Sequence, residues 1–263
     1  MRTKSWLCFI MGALLIWVQP IWALDEEGLL LFLDFDNVSG NIIKDMSGQK
    51  HDGVLNNGAK VVNNPTKEGK GALQIKGGQE QLEVESFPEL EEYQDNTYLF
   101  WIYFTDAASG GWDQILAKTA PGSDRSPGMW VETGGLGIHW RFNPGNAGFW
   151  GLGPDGDRTQ FEMKKWYHVA GVKRKDQLMG YVDGKEKAKI NVPANHAQGE
   201  GGLYVGKSPA YPGPAAKFIM DELVAYARAL DPKEIVEIMS GKLRPVDPKD
   251  KLPIAWGAIK AKR

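Results

Sequence analysis

Trp166 to Val172 reads W-Y-H-V-A-G-V, and its residues alternate in the two-residue period of a strand rather than the 3.6-residue period of a helix. A charged turn, Lys173-Arg174-Lys175-Asp176, follows, and Leu178–Val182 returns as a second strand. Asp183-Gly184 then predicts a tight hairpin, because both central residues of a type I′ turn need positive φ. Lys185–Ile190 reads as a polar edge strand, where lysines discourage pairing with foreign strands. Leu203–Val205 and Phe218–Tyr226 add two more strands, so this part of the chain is an antiparallel meander.

Upstream, strands are predicted at Leu29–Phe35, Gly53–Leu55, Ala72–Ile75, Gln81–Val84, Tyr98–Phe104, Gln114–Lys118, Met129–Thr133, Gly137–Phe142 and Phe149–Leu152. Short strands separated by Gly, Asn, Asp and Pro turns predict an all-β fold, a two-sheet antiparallel β-sandwich (jelly roll). One short helix is signalled near the C-terminus. Asp231 is its N-cap, Pro232 its first residue, Glu234 completes a capping box and Gly241 ends it, with Ile235 and Ile238 on its apolar side.

Residues 1–23 read as a secretory signal peptide: Arg2 and Lys4 precede an apolar run, and Ala23 offers a cleavage point. An uncleaved N-terminal anchor is the alternative. The expected organisation is a signal at 1–23, one domain at 24–242, and a C-terminal extension or edge strand at 243–263. The single cysteine, Cys8, lies in the signal, so the mature chain is expected to use neither disulfides nor a thiol nucleophile. Without Arg2 and Lys4, 29 basic residues face 33 acidic ones, a net charge of −4. That balance argues against a nucleic-acid partner. No span of the membrane is expected after cleavage.

W-Y-H-V-A-G-V, Y-V-D-G-K, L-Y-V-G-K and M-D-E-L-V-A-Y-A-R-A-L-D-P-K-E-I, in this order, resemble the laminin-G-like jelly-roll family of the concanavalin A-like lectin/glucanase superfamily. LLLFLDFD, IIKDMSGQKHDG, GKGALQIKGG and YLFWIYF resemble its opening strands, so the likeness runs from about Gly28 to Ile238. The resemblance implies the fold; one fold hosts many functions. It also implies a possible structural Ca²⁺ joining Asp221 to Asp34 or Asp36. The competing reading is that these carboxylates accept local backbone N–H groups. His168 falls in the family's W-x-H-V-A pattern and is implied to be structural.

Seven of the ten tryptophans lie beyond residue 23. Trp101 and Trp166 sit in strongly apolar strands and are expected in the core. Trp112, Trp130, Trp140 and Trp150 fall in a glycine-rich stretch, where loops on a rigid sandwich carry binding residues. With Arg141, they are the candidate ligand-binding residues. Glu132, His139, Asn143 and Asn146 stand close in sequence to read sugar hydroxyls. Each tryptophan could instead fill the space between two sheets.

The superfamily's glucanases carry acids at alternate strand positions, and the nearest approach here is Glu83-Val84-Glu85, with Phe87 in place of a third acid. No nucleophile elbow, zinc-protease motif or phosphate loop occurs. No catalytic residue is assigned. Asn37-Val38-Ser39 is a glycosylation sequon. The expectation is a secreted or cell-envelope binding module that recognises an extracellular glycan without chemistry. A protein-adhesion module is the second reading and a glycan hydrolase or lyase the third.

Overall fold

The structure is a computed structural model and describes residues 27–92, 94–118, 125–194 and 201–243. The expected signal segment, and the expected extension beyond residue 243, lie outside the described residues.

The chain opens with β1 (Leu29–Ser39), β2 (Ile42–Asp45), β3 (Gly53–Asn56), β4 (Lys60–Val62), β5 (Ala72–Gly78) and β6 (Gln81–Val84). A one-turn helix, α1 (Pro88–Glu92), leads to β7 (Asn96–Phe104), β8 (Asp113–Lys118), β9 (Gly128–Val131), β10 (Ile138–Phe142), β11 (Ala147–Gly153) and the two-residue β12 (Gly156–Asp157). The meander follows as β13 (Trp166–Arg174), β14 (Gln177–Val182), β15 (Lys185–Asn191), β16 (Leu203–Gly206) and β17 (Ala215–Tyr226), and α2 (Pro232–Met239) closes it. Every strand expected among the described residues is present, and β2 falls in the IIKDMSGQKHDG segment that the resemblance implied. The short β4 and β12 and the helix α1 were not expected.

One layer runs β15–β14–β13–β7–β17 in antiparallel register. The far edge of β17 is shared by β5, opposite Ala215–Met220, and β1, opposite Leu223–Tyr226. The other layer runs β2–β3–β6–β16–β8–β9–β10–β11. The expectation of two separate sheets needs correction. β1 pairs with β17 through Leu29–Leu33 and with β2 through Leu33, Val38 and Ser39, and the register with β2 shifts between Leu33 and Val38. Phe35, at φ 55°, lies inside that shift. A long strand with such an irregularity can turn from one layer into the other. A single parallel pair, Ala215 with Gln114, joins β17 to β8. The pairings therefore close through β1, β2, β3, β6, β16, β8 and β17, as in a barrel with extra strands.

The core fills the space between the layers. Alternation on β7 sends Tyr98, Phe100, Ile102 and Phe104 inward, where Met129, Ile138 and Phe149 of the other layer meet them. On the outward side of β7, Leu99 joins Val172, Val224 and Tyr226, and α2 covers them with Ile235 and Ile238. The helix begins as expected: the Asp231 N–H donates to the Glu234 carboxylate at 2.8 Å. It ends at Gly241, at φ 81°, whose N–H donates to the Ile238 carbonyl at 2.8 Å.

The hairpin expected at Asp183-Gly184 forms with φ 50° and 73°. Lys173, expected in an exposed turn, is instead fully buried near the end of β13. Its ammonium donates to the carbonyls of Gln94, Lys175 and Ala194 at 2.9–3.1 Å, which supplies three acceptors for three donors. Trp166, expected in the core, is half-buried on the outward face beside Tyr103. Trp101 is buried under the Lys67 ammonium, 4.1 Å from its ring centre.

Candidate functional site

The outward face of β8–β11 is built by the same alternation that fills the core. On β9, Met129 and Val131 point inward and Trp130 outward. On β10, Ile138, Trp140 and Phe142 point inward, so His139 and Arg141 share the outward side. Register places His139 directly across from Trp130.

Trp140 is therefore not a binding residue. It is fully buried and crosses the core to β13, where a Cβ on Gly171 would lie 2.4 Å from its ring. Only a glycine at 171 leaves room for that indole. Gly128 does the same for the outward face, since a Cβ there would lie 2.4 Å from the Trp130 ring.

Two loops and the strand β11 complete the wall. Trp112 immediately precedes β8, and the turn before it is tied down where the Ser109 N–H donates to Asp113 at 2.6 Å. Trp150 stands on β11. Tyr211 arrives on the 207–214 loop, which the buried Gln114 organises. Its amide donates to the carbonyls of Gly213 and Pro212 at 2.9 and 3.2 Å, and its oxygen accepts the Ser208 N–H at 2.9 Å. Lys207 adds bonds to the carbonyls of Ser208 and Tyr211.

These side chains surround an open cavity of about 290 Å³. Trp112 and Trp150 meet edge to face, 5.7 Å between ring centres, and both pack on His139, at 4.4 and 5.4 Å. Trp130 meets Tyr211 at 5.0 Å, also edge to face. Trp112 and Trp150 remain 36 % and 39 % exposed, whereas Trp130 is 5 % exposed. Pro212 and Asn146 close the rim.

The polar groups are cationic or neutral. Arg125 lies over both Trp130 and Tyr211, 5.1 and 5.4 Å from their ring centres. Arg141 and Arg158 both lie beside Trp150, at 5.5 and 5.2 Å. The shortest contact of each His139 ring nitrogen differs: Nδ1 meets the Trp150 carbonyl at 2.9 Å, and Arg141 Nε lies 3.0 Å from Nε2 against 3.3 Å from Nδ1. A carbonyl only accepts and a guanidinium only donates, so His139 is neutral with its proton on Nδ1. Burial pushes its pKa down to about 4, helped by Arg141 and Arg125 and opposed by the Trp150 carbonyl and Asp157. Arg141 also donates to the Asn146 carbonyl at 2.7 Å, which ties the β10–β11 turn to the site.

The candidate residues Trp112, Trp130, Arg141 and Trp150 thus come together, with His139 and Asn146 among them. Glu132 does not join them; it is buried and accepts the Gln160 amide. Asn143 serves the backbone, its N–H donating to the Arg125 carbonyl at 2.9 Å. Arg125, Arg158 and Tyr211 were missed. Tyr211 is flanked by prolines and a glycine in P-A-Y-P-G-P, an aromatic in a rigid loop, and that was the available signal. Nothing in the sequence marks Arg125 or Arg158.

The carboxylates considered for calcium are committed elsewhere. Asp221 accepts the N–H groups of Lys67 and Glu68 at 2.9 and 3.0 Å, and Asp36 accepts those of Lys70 and Gly71 at 2.7 and 2.8 Å. Both anchor the 67–71 loop to the sheet. Asp34 accepts the Asp36 N–H at 3.0 Å and the Asn37 amide at 3.1 Å. Among the described residues no three acidic or histidine side chains gather so as to hold a metal ion. In this arrangement Asp34, Asp36 and Asp221 accept backbone N–H groups and the Asn37 amide, the competing reading of these carboxylates. Glu83 accepts the Tyr204 hydroxyl at 2.9 Å, and Glu85 is exposed beyond the end of β6.

The chain resembles solved structures at low identity. A sialidase of Trypanosoma rangeli in complex with sialic acid superposes with a TM-score of 0.60 at 20 % identity over 81 % of this chain. The chain spans only 33 % of that sialidase's length. Domain 4 of AbnA, a GH43 extracellular arabinanase from Geobacillus stearothermophilus in complex with arabinotriose, superposes with a TM-score of 0.57 at 16 % identity. There the match covers 81 % of this chain and 99 % of that domain. At such identities the likeness shows the fold alone. No curated protein matches the sequence. A family model does match, over residues 76–236, from β5 through α2. The chain belongs to the concanavalin A-like lectin/glucanases superfamily.

Proposed function

We propose that this chain is a non-catalytic module that binds carbohydrate in the cavity formed by Trp112, Trp130 and Trp150. The open aromatic cavity on the outward face of β8–β11 carries this reading. Exposed indole faces stack on the C–H faces of a sugar, and the lining places Asn146 and Arg125 where hydroxyls can be read. The rings are held by strands and by the Gln114-anchored loop, so little ordering cost falls on binding.

The absence of chemistry in this reading is supported by the lining. Most glycosidases, sialidases excepted, draw on two carboxyl groups roughly 5–9.5 Å apart, and no acidic side chain lines the cavity among the described residues. Sialic acid and arabinotriose, named with the two similar structures, are sugars and fit the same direction. In this reading the chain works outside the cell after removal of residues 1–23, and calcium takes no part.

The test is a glycan-array screen of the purified protein, with Trp150→Ala and Trp112→Ala beside it. Truncating a central aromatic anchor costs about 2 kcal/mol, roughly a 30-fold loss of affinity. Such a loss in both variants, with cooperative unfolding and the circular dichroism of the parent retained, supports the reading. Binding to no glycan would overturn it and shift the search to a protein partner by pull-down.

A further inference from the structure

The cavity carries an excess of positive charge that sugar stacking does not require. Arg125 lines it against Trp130 and Tyr211, and Arg141 and Arg158 flank it at Trp150. They are close enough to act on one another: Arg141, already disfavoured by burial, is further lowered by Arg125 and Arg158. Asp157 is the carboxylate that opposes this, and its oxygen is already engaged by the N–H groups of Gly151 and Arg158 at 2.8 and 3.1 Å. His139 is neutral and adds nothing.

Elsewhere the chain pairs its arginines with acids. Arg174 meets Asp231 at 3.1 Å, and Arg228 meets Glu234 at 2.7 Å. None of the three site arginines forms an ion pair among the described residues, and Arg125 Nε is buried with no hydrogen-bond partner there. Three positive charges with one carboxylate, Asp157, acting against them leave the empty site with a net positive field, and a bound anion offsets it. Guanidinium groups also match the planar carboxylate and the oxygens of sulfate.

We propose that the cavity recognises an acidic glycan, with the anionic substituent of a sugar held at the Arg125 guanidinium, within the field of Arg141 and Arg158, while its ring stacks on the tryptophans. This deepens the carbohydrate reading and rests on it. The substituent is a carboxylate or a sulfate, which share the chemistry.

The test measures affinity of the purified protein for lactose, 3′-sialyllactose and 3′-sulfolactose, and for neutral and uronate-containing oligosaccharides of equal length. A charge-assisted hydrogen bond supports roughly a tenfold or greater preference for the charged member of a pair. That preference should shrink as salt is raised, because the site is open to solvent. The carboxylate and sulfate arms identify which substituent is read. Arg158→Gln is exposed and makes no side-chain hydrogen bond, so it folds, and it should lower the charged-to-neutral ratio several-fold. Arg174→Gln removes a positive charge outside the site and should leave the ratio unchanged. Equal affinity for charged and neutral members would overturn this proposal and leave the carbohydrate reading standing. Binding to no sugar on a broad array would overturn both.

Discussion

Each β-layer turns a second face away from the shared core, and the chain finishes the two faces differently. On the layer of β7, β13 and β17, the outward Leu99, Val172, Val224 and Tyr226 lie under α2, sealed by Ile235 and Ile238. On β8–β11 the outward cluster is small, Ala117 with Trp130 and Tyr211. Trp112 and Trp150 beside it stay more than a third exposed. Outward apolar surface that a protein covers with its own helix contributes to stability. Aromatic surface held rigid and left open is available to something else. The histidines share one feature across the contrast: burial keeps both His168, outward on β13, and His139, in the cavity, neutral.

The largest expected effect separates inside from outside on a single pair of strands. Trp140→Ala should destabilise the protein by about 3–5 kcal/mol, as other large-to-small changes of buried aromatics do. Urea unfolding measures it, and a loss below about 1 kcal/mol would contradict the interior placement. Ile235→Ala should cost about 2–5 kcal/mol, because it opens the covered face. If that variant unfolds no more readily than the parent, α2 does not seal its layer as described.

The effect of pH comes next. His139 and His168 have folded pKa values lowered from 6.5 to about 4 and about 3. The unfolded chain therefore takes up protons first. Stability is full above pH 6.5 and falls as the pH drops from there toward 4 and below. The loss should reach a few kcal/mol, read from urea midpoints at pH 7, 5.5 and 4.5. His139→Gln should flatten part of that slope, and a slope identical to the parent's would remove His139 from the account.

Trp150→Ala should cost about 1–2 kcal/mol, because it removes the ring contacts with Trp112 and His139 but opens no cavity in the core. Its binding loss, set against that smaller stability change, is what most sharpens the contrast with Trp140→Ala. The smallest expected effect is that of EDTA. With Asp34, Asp36 and Asp221 engaged by backbone and amide donors, chelation should leave the melting temperature unchanged. A clear drop would restore calcium to the structure.

Much of this was legible beforehand, for identifiable reasons. Strand alternation, the Asp183-Gly184 turn and the caps of α2 are local effects, written within a few residues of where they act. Trp112, Trp130 and Trp150 were legible as a group because glycine-rich loops and strand ends gather in sequence as well as in space. Trp140 was misassigned because the pattern separates it from its neighbours without saying which side is inside. Arg125, Arg158 and Tyr211 were missed because they reach the site by tertiary routes, such as the loop that Gln114 holds at Tyr211, Pro212 and Gly213.

By itself, the sequence determined the antiparallel strands, their turns, the capped helix and the family, because backbone preferences and side-chain periodicity act over short distances. Only the tertiary structure decided which face of β10 looks inward. That choice depends on β13, where Gly171 leaves the space that the Trp140 indole occupies. With Trp140 inside, strand geometry obliges His139 and Arg141 to face out, and the site exists on that side of the sheet.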